Sequence, residues 1–226
     1  PWVYFDKMPG NKIKNYLIKK LMYFSINTCD KLIVNSFFAK NEILKKLKIN
    51  PKKVFVNYLA VDNNRLSVKN KRYKLSSNFN FNSKYILSVS SCVKYHDFFN
   101  VLKAFKKIKV YKSNIKLVLI TQPLDKKYFL EIKNYVHQNF SKNEVYFFQN
   151  VNSTLMNIFY KKALLYIFSS YCEVFGLTSL EAMKNNCPVL ISNHSAMPEI
   201  NGKAALYFNP RSSKDIKNKI NKLISN

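Results

Sequence analysis

Leu164-Leu165-Tyr166-Ile167-Phe168, Ser169-Ser170-Tyr171-Cys172-Glu173-Val174-Phe175-Gly176 and Leu177-Thr178-Ser179-Leu180-Glu181-Ala182-Met183 follow one another without a break. The first piece is a continuous apolar run, as expected of a strand buried on both faces of a parallel sheet. The second is a turn closed by Gly176, which permits a tight bend and close backbone approach. The third has the spacing of a helix. Its first amides lack acceptors within the helix and, with the helix dipole, favour an anion such as a diphosphate. Glu173 precedes this turn and Glu181 lies about one helical turn inside, so both carboxylates can face one pocket. An acidic pair makes little sense for holding phosphate. It suits sugar hydroxyls, which donate hydrogen bonds to carboxylates.

Working outward, the same alternation recurs. Strands are expected over 85–89, 115–120, 145–148, 164–168, 189–191 and 205–208, and helices over 98–108, 126–138, 154–162, 177–185 and 213–224. Strands alternating with helices of this length predict an α/β fold, a parallel sheet with helices on both faces. Ligands of such sheets bind beyond the carboxyl ends of the strands. Upstream, a helix is expected over 13–26 and a strand over 31–35. A second helix, capped by Ser36, runs to Leu47 and is followed by a strand over 54–56. The stretch 62–82 is polar, rich in Lys, Asn and Ser, and lacks periodicity, which reads as a linker.

Composition narrows the classes of function. With 226 residues, 47% of them hydrophobic and 15% aromatic, the chain can bury a large core and is not a disordered segment. Lys and Arg number 38 against 12 Asp and Glu, a formal charge of +26 that attracts polyanions and anionic membranes alike. Pairs such as Lys45-Lys46 and Lys106-Lys107 are scattered among apolar residues rather than gathered into a stripe. A specific nucleic-acid partner is therefore not expected. Cys29, Cys92, Cys172 and Cys187 form no CxxC pair, and no His or Cys cluster has metal-ligand spacing, so reduced thiols and no metal are expected. No apolar run approaches the roughly 18 residues needed to span a bilayer. The opening Pro1-Trp2-Val3-Tyr4 reads as a cut into a longer chain.

The central stretch continues through Asn186-Cys187-Pro188-Val189 and Pro198-Glu199-Ile200-Asn201-Gly202-Lys203-Ala204-Ala205. Together these segments resemble the family 4 retaining glycosyltransferases of the GT-B fold. Those enzymes carry E-G-F-G-L-x-x-L-E-A-M, then G-x-P-V, then P-E-x-x-G-x-A-A, and the spacing of Glu173 and Glu181 fits their Glu-x7-Glu motif. Weaker likeness extends over 85–105 and back to Cys29-Asp30-Lys31-Leu32-Ile33-Val34-Asn35-Ser36. The resemblance implies a Rossmann-like nucleotide-sugar-binding domain over 83–226. It also implies the remnant of a second, acceptor-side Rossmann-like domain with its crossing over 1–61, joined through the 62–82 linker. It further implies transfer from a UDP- or GDP-sugar to a glycan or lipid-linked acceptor with retention of configuration. By this likeness Glu173 contacts the donor sugar and Glu181 the ribose, while Phe175, Gly176, Leu177 and Thr178 hold sugar and diphosphate. No metal or other cofactor is essential, and a cytoplasmic enzyme, peripheral on the inner membrane face, is implied.

Departures from the family pattern fall in the loop after the first donor-side strand. Where an Arg and a Lys usually neutralise the diphosphate, this chain has Ser91 and His96, with Lys94 nearby as a candidate substitute. Glycines common in the family are replaced by Ala60, Gln149 and Asn186, of which Asn best tolerates a left-handed backbone. Blander roles stand beside these. His96 on a polar loop is ordinarily solvated, Phe175 is as suited to a core as to a ligand, and Glu199 after Pro198 suits a short helix cap. A non-catalytic nucleotide-sugar binder is the principal alternative function. The Lys-rich amphipathic segment 12–24 is a candidate contact with an anionic membrane.

Overall fold

A computed structural model describes residues 11–61, 79–109 and 114–224. Six strands form one parallel sheet: β3 (Tyr85–Val89), β4 (Lys116–Ile120), β5 (Val145–Phe148), β6 (Leu165–Phe168), β7 (Val189–Ser192) and β8 (Leu206–Phe208). Their spatial order is β5-β4-β3-β6-β7-β8, and every pairing is parallel. The chain therefore winds outward from β3 in one direction and restarts at β6 in the other, the doubly wound arrangement expected of the α/β pattern.

Alternate residues along each strand point to opposite faces, and the two faces build two cores. Ile86, Leu117, Leu119, Leu165, Ile167 and Leu190 lie under α3 (Phe98–Lys109), α4 (Lys126–Asn139) and α8 (Ser213–Ile224). Tyr85, Leu87, Val118, Tyr166, Phe168 and Ile191 face α5 (Ser153–Lys162), α6 (Leu177–Lys184) and the short α7 (Met197–Asn201). Fully covered on both sides, the central strands have no polar alternation, which is why the sequence shows apolar runs there.

Helix starts follow local chemistry. Asp125 Oδ1 accepts from the Tyr128 amide at 3.0 Å and Asn152 Oδ1 from the Leu155 amide at 3.0 Å, capping α4 and α5. The chain's few glycines are compensated by other residues. Asp97, Asn143, Asn150, Asn186 and Ser195 adopt positive φ among the described residues, and Asn is the residue that tolerates this after glycine. At the Gln149 position the left-handed turn falls one residue later, on Asn150.

A small N-terminal layer precedes the sheet. In it α1 (Lys12–Thr28) and α2 (Phe37–Lys46) flank a two-stranded parallel pair, β1 (Leu32–Val34) and β2 (Val54–Val56). Its core is Ile26, Ile43 and Leu47. One stripe of α1, made of Ile13, Leu17, Leu21 and Phe24, is exposed. Most of the stretch read as a linker lies outside the described residues. Its last part does not behave as a polar connector: Phe79 is buried among Phe81, Tyr85, Tyr146, Phe148 and Phe159. Among the described residues no helix is long and apolar enough to cross a membrane, and all four cysteines are free.

Candidate functional site

The strand order reverses between β3 and β6, so the loops leaving their carboxyl ends diverge and open a crevice. The loop after β3 carries Ser91, Lys94 and His96, and the loop after β6 carries Glu173 and Gly176. Gly176 sits at the N-cap of α6 with φ of 77°. The positive φ favours glycine, and a Cβ there would lie 2.7 Å from Met197 Cε, so the end of that side chain would have to shift. No side chain caps α6, in contrast to α4 and α5. Instead Ser179 Oγ donates to the Gly176 carbonyl at 2.7 Å and tightens the turn. The first amides of α6, those of Leu177 and Thr178, begin the helix at the crevice.

Glu173 is held in place by several groups. Its Oε1 accepts from the Val174 amide at 3.0 Å, and its carbonyl accepts from the Ala196 amide at 3.2 Å. Burial pushes the Glu173 carboxyl up, but the His96 imidazole and the amides of Val174 and Phe175 more than offset this, leaving it below its ordinary value. His96 itself is 7% exposed rather than solvated. Its Nδ1 lies 2.6 Å from the Ser91 carbonyl, which can only accept, so Nδ1 carries the proton. Its Nε2 faces Glu173 Oε2 at 3.9 Å, an ion-pair separation rather than a hydrogen bond. Ser169 Oγ closes on the His96 carbonyl and fixes the same loop from β6. The imidazole is thus directed at the carboxylate. Lys94, on the same loop, is exposed.

Glu181, on α6, joins two adjoining cavities. One, of about 290 Å³, lies between Ala60 and Val61 of the N-terminal segment and Met156, Tyr160 and Lys184 of the sheet unit. The other, of about 330 Å³, includes Ser91, Thr121, Gln122 and Asn150. Tyr160 donates to Glu181 Oε2 at 3.1 Å. Burial first, then neighbouring Tyr166 and Glu181, push the Tyr160 hydroxyl well above its ordinary value, so it stays a donor. Tyr166 is hydrogen-bonded to Thr178 Oγ1 at 2.7 Å and anchors the first turn of α6 from below. Thr121 is different: its buried hydroxyl finds no partner among the described residues. Phe175 is buried with its ring 6.2 Å from that of Tyr58.

The crevice therefore gathers Ser91, His96, Glu173, Gly176, Leu177, Thr178 and Glu181 from two loops and one helix. Sequence reasoning missed Tyr160, Tyr166 and Thr121. Their only signal is being polar atoms within apolar runs, at positions that a fully buried strand or helix face makes costly without a partner.

A doubly wound α/β unit with an open helix N-terminus and two carboxylates at its switch point defines a class, that of Rossmann-like units. Residues 69–226 match the profile of the glycosyl transferases group 1, and the chain belongs to that family. It is 25% identical over 206 residues to the O-antigen chain mannosyltransferase RfbU of Salmonella typhimurium, covering 91% of this chain and 54% of that one. The alpha-1,3/1,6-mannosyltransferase ALG2 of Saccharomyces cerevisiae is 24% identical over 200 residues, covering 76% and 40%. The chain thus spans about half the length of the curated relatives it matches. Among solved structures, Anabaena Alr3699/HepE in complex with UDP-glucose superposes with a TM-score of 0.76 at 16% identity, over 93% of this chain and 58% of that one. Sucrose-phosphate synthase of Thermosynechococcus elongatus gives 0.75 at 17% identity, over 94% and 53%. At these identities the superpositions speak for the GT-B fold alone.

Proposed function

We propose that this chain binds the nucleotide-sugar donor for a transferase that passes the sugar to a glycan or lipid-linked acceptor with retention of configuration. The observation that carries the proposal is the uncapped start of α6 at Gly176, set between Glu173 and Glu181 at the switch point of the sheet. In this assignment the amides of Leu177 and Thr178 receive the diphosphate. Glu181, oriented by Tyr160, accepts from the ribose hydroxyls. Glu173, kept ionised, accepts from hydroxyls of the donor sugar. As the sugar departs, negative charge grows on the diphosphate, and donors already aimed at it stabilise that charge without rearranging. In this reading, which follows the family resemblance, the leaving diphosphate oxygen takes the acceptor proton. Ala60 and Val61 close the first cavity from the N-terminal side, so the nucleoside end of the donor would lie against both parts of the chain.

One observation favours a second function, a nucleotide-sugar binder without turnover. His96 stands in place of a diphosphate-binding Lys and is tied to Ser91 and Glu173 instead. Calorimetric titration with UDP, GDP and their sugar conjugates at two salt concentrations, with Glu181→Ala beside the parent, tests the donor assignment. Base-selective binding that survives salt and weakens in the variant is expected. Equal, salt-abolished binding of every polyanion would refute it. Assay of sugar release then separates transferase from binder.

A further inference from the structure

Helix α2 begins in the N-terminal layer, and its first three amides have no acceptor within the helix. Only one is satisfied locally, the Ala39 amide by Ser36 Oγ at 3.0 Å. The other two are satisfied from the far side of the chain. Glu199 Oε1 accepts from the Phe37 amide at 2.7 Å and Oε2 from the Phe38 amide at 2.8 Å, 162 and 161 positions away in sequence. Tyr58 donates its hydroxyl to the same Oε1 at 2.9 Å. That bond, some desolvation and the carboxylate's charge together raise the Tyr58 hydroxyl above its ordinary value. One half-buried carboxylate thus receives three donors from two segments of the N-terminal layer, at the positive end of a helix dipole.

Those two segments are themselves joined. Lys40 Nζ donates to the Val54 carbonyl at 2.7 Å, tying α2 to β2, the strand that leads to Tyr58. Apolar contacts follow the polar ones: Phe38 packs on the sheet core, and Tyr58 meets Phe37 and Phe175. On the other side of the contact, Glu199 belongs to α7, whose first residue is Met197, the side chain that fills the space beside Gly176. The residue before it, Ala196, donates its amide to the Glu173 carbonyl. The carboxylate that grips the N-terminal layer and the turn that carries Glu173 therefore rest on the same short helix.

We propose that Glu199 is a positioning residue, a latch that fixes the orientation of the N-terminal layer over the Gly176 turn and hence over the donor crevice. Without it, two amides at the start of α2 lose their acceptors and the layer is held mainly by the Phe38 and Tyr58 ring contacts, which are not directional. Its effect on turnover rests on the transferase assignment above; its effect on orientation does not.

The test places spin labels at Lys45, on α2, and Lys214, on α8, in a Cys29→Ser background, and measures the distance distribution for the parent, Glu199→Gln, Tyr58→Phe and Ser36→Ala. A narrow distribution is expected for the parent, a broadened or displaced one for Glu199→Gln, and an intermediate one for Tyr58→Phe, which removes a single bond. Ser36→Ala weakens the same helix start through Ala39 alone and should leave the distance unchanged. The latch is overturned if Glu199→Gln matches the parent, or if Ser36→Ala disturbs the distance as much. In the kinetic arm, Glu199→Gln should lower kcat at least ten-fold with KM for the nucleotide sugar within two-fold. A rise in KM with kcat unchanged would place Glu199 in donor binding instead. The kinetic arm uses the full-length protein, where absence of turnover in the parent would sink the transferase assignment and leave the distances alone to decide the latch.

Discussion

Replacing Gly176 by alanine isolates the turn on which the donor site depends. Two costs can be worked from the structure. At φ of 77° an L-residue occupies the left-handed region, a penalty of roughly 1–2 kcal/mol. The new methyl would also fall 2.7 Å from Met197 Cε and 2.9 Å from its Sδ. Met197 is fully buried, so its flexible end must turn within a packed core, at a cost of about 1–3 kcal/mol. Together these give a loss of about 2–5 kcal/mol, which for a chain of this size lowers Tm by roughly 4–20 °C. Urea unfolding of the parent, Gly176→Ala, Met197→Ala and the double variant separates the two terms. Shortening Met197 removes the obstacle, so the double variant should lose less than the two single losses added, by about 1–3 kcal/mol. A Gly176→Ala protein within about 0.5 kcal/mol of the parent, on the scale of an ordinary surface substitution, would refute the left-handed turn. Strict additivity would refute the role of Met197.

Tyr160→Phe removes the hydroxyl that orients Glu181 and should weaken nucleotide binding by about 1 kcal/mol, roughly five-fold, in the same calorimetric titration; an unchanged Kd would show that Glu181 needs no such support. Thr121→Val replaces a buried hydroxyl that has no partner among the described residues, so urea unfolding of the free protein should show it stabilised by up to about 1 kcal/mol, and a destabilised variant would mean that the hydroxyl is satisfied in solution. The Glu173 carboxyl lies below its ordinary value in the folded chain, so its contribution to stability is complete above the range where a free glutamate titrates, about 4.3. It is lost as pH falls through the lower folded value. Because the His96 imidazole helps to hold the carboxyl down, unfolding free energies measured from neutral to acid pH should fall less steeply for His96→Asn; parallel curves would detach the imidazole from Glu173.

The legibility of this chain varied with the range of the interactions. Strands β3, β4, β6 and β7 were readable because a strand covered on both faces is apolar nearly throughout, and Ser36 was readable as a cap because capping is local. Helix α7 was suggested only by Glu199 after Pro198: its five residues, begun at Met197, are too few to display a period. Phe79 was absorbed into a stretch judged polar by its average, although the aromatic rings that bury it come from β5 and α5. Glu173, Gly176 and Glu181 stood out from their spacing. The direction of His96 did not, since it depends on the Ser91 carbonyl and on a carboxylate from another loop. Glu199 could be suspected of capping a helix, but no local pattern says that the helix begins at Phe37.

The order of the sheet carries a consequence for how the chain acquires its site. Strands β3 to β5 form one sequence-contiguous half, and β6 to β8 another, each able to assemble through short crossovers. The seam between the halves pairs Ile86 with Leu165 and Leu87 with Tyr166, and such distant partners carry the greatest loop-closure cost and join late. The crevice opens along that same seam. A half-assembled intermediate has neither wall facing the other, so a nucleotide that engages both walls recognises only the completed fold. Added during refolding, such a ligand should leave the early phases untouched and draw the final equilibrium toward the native state.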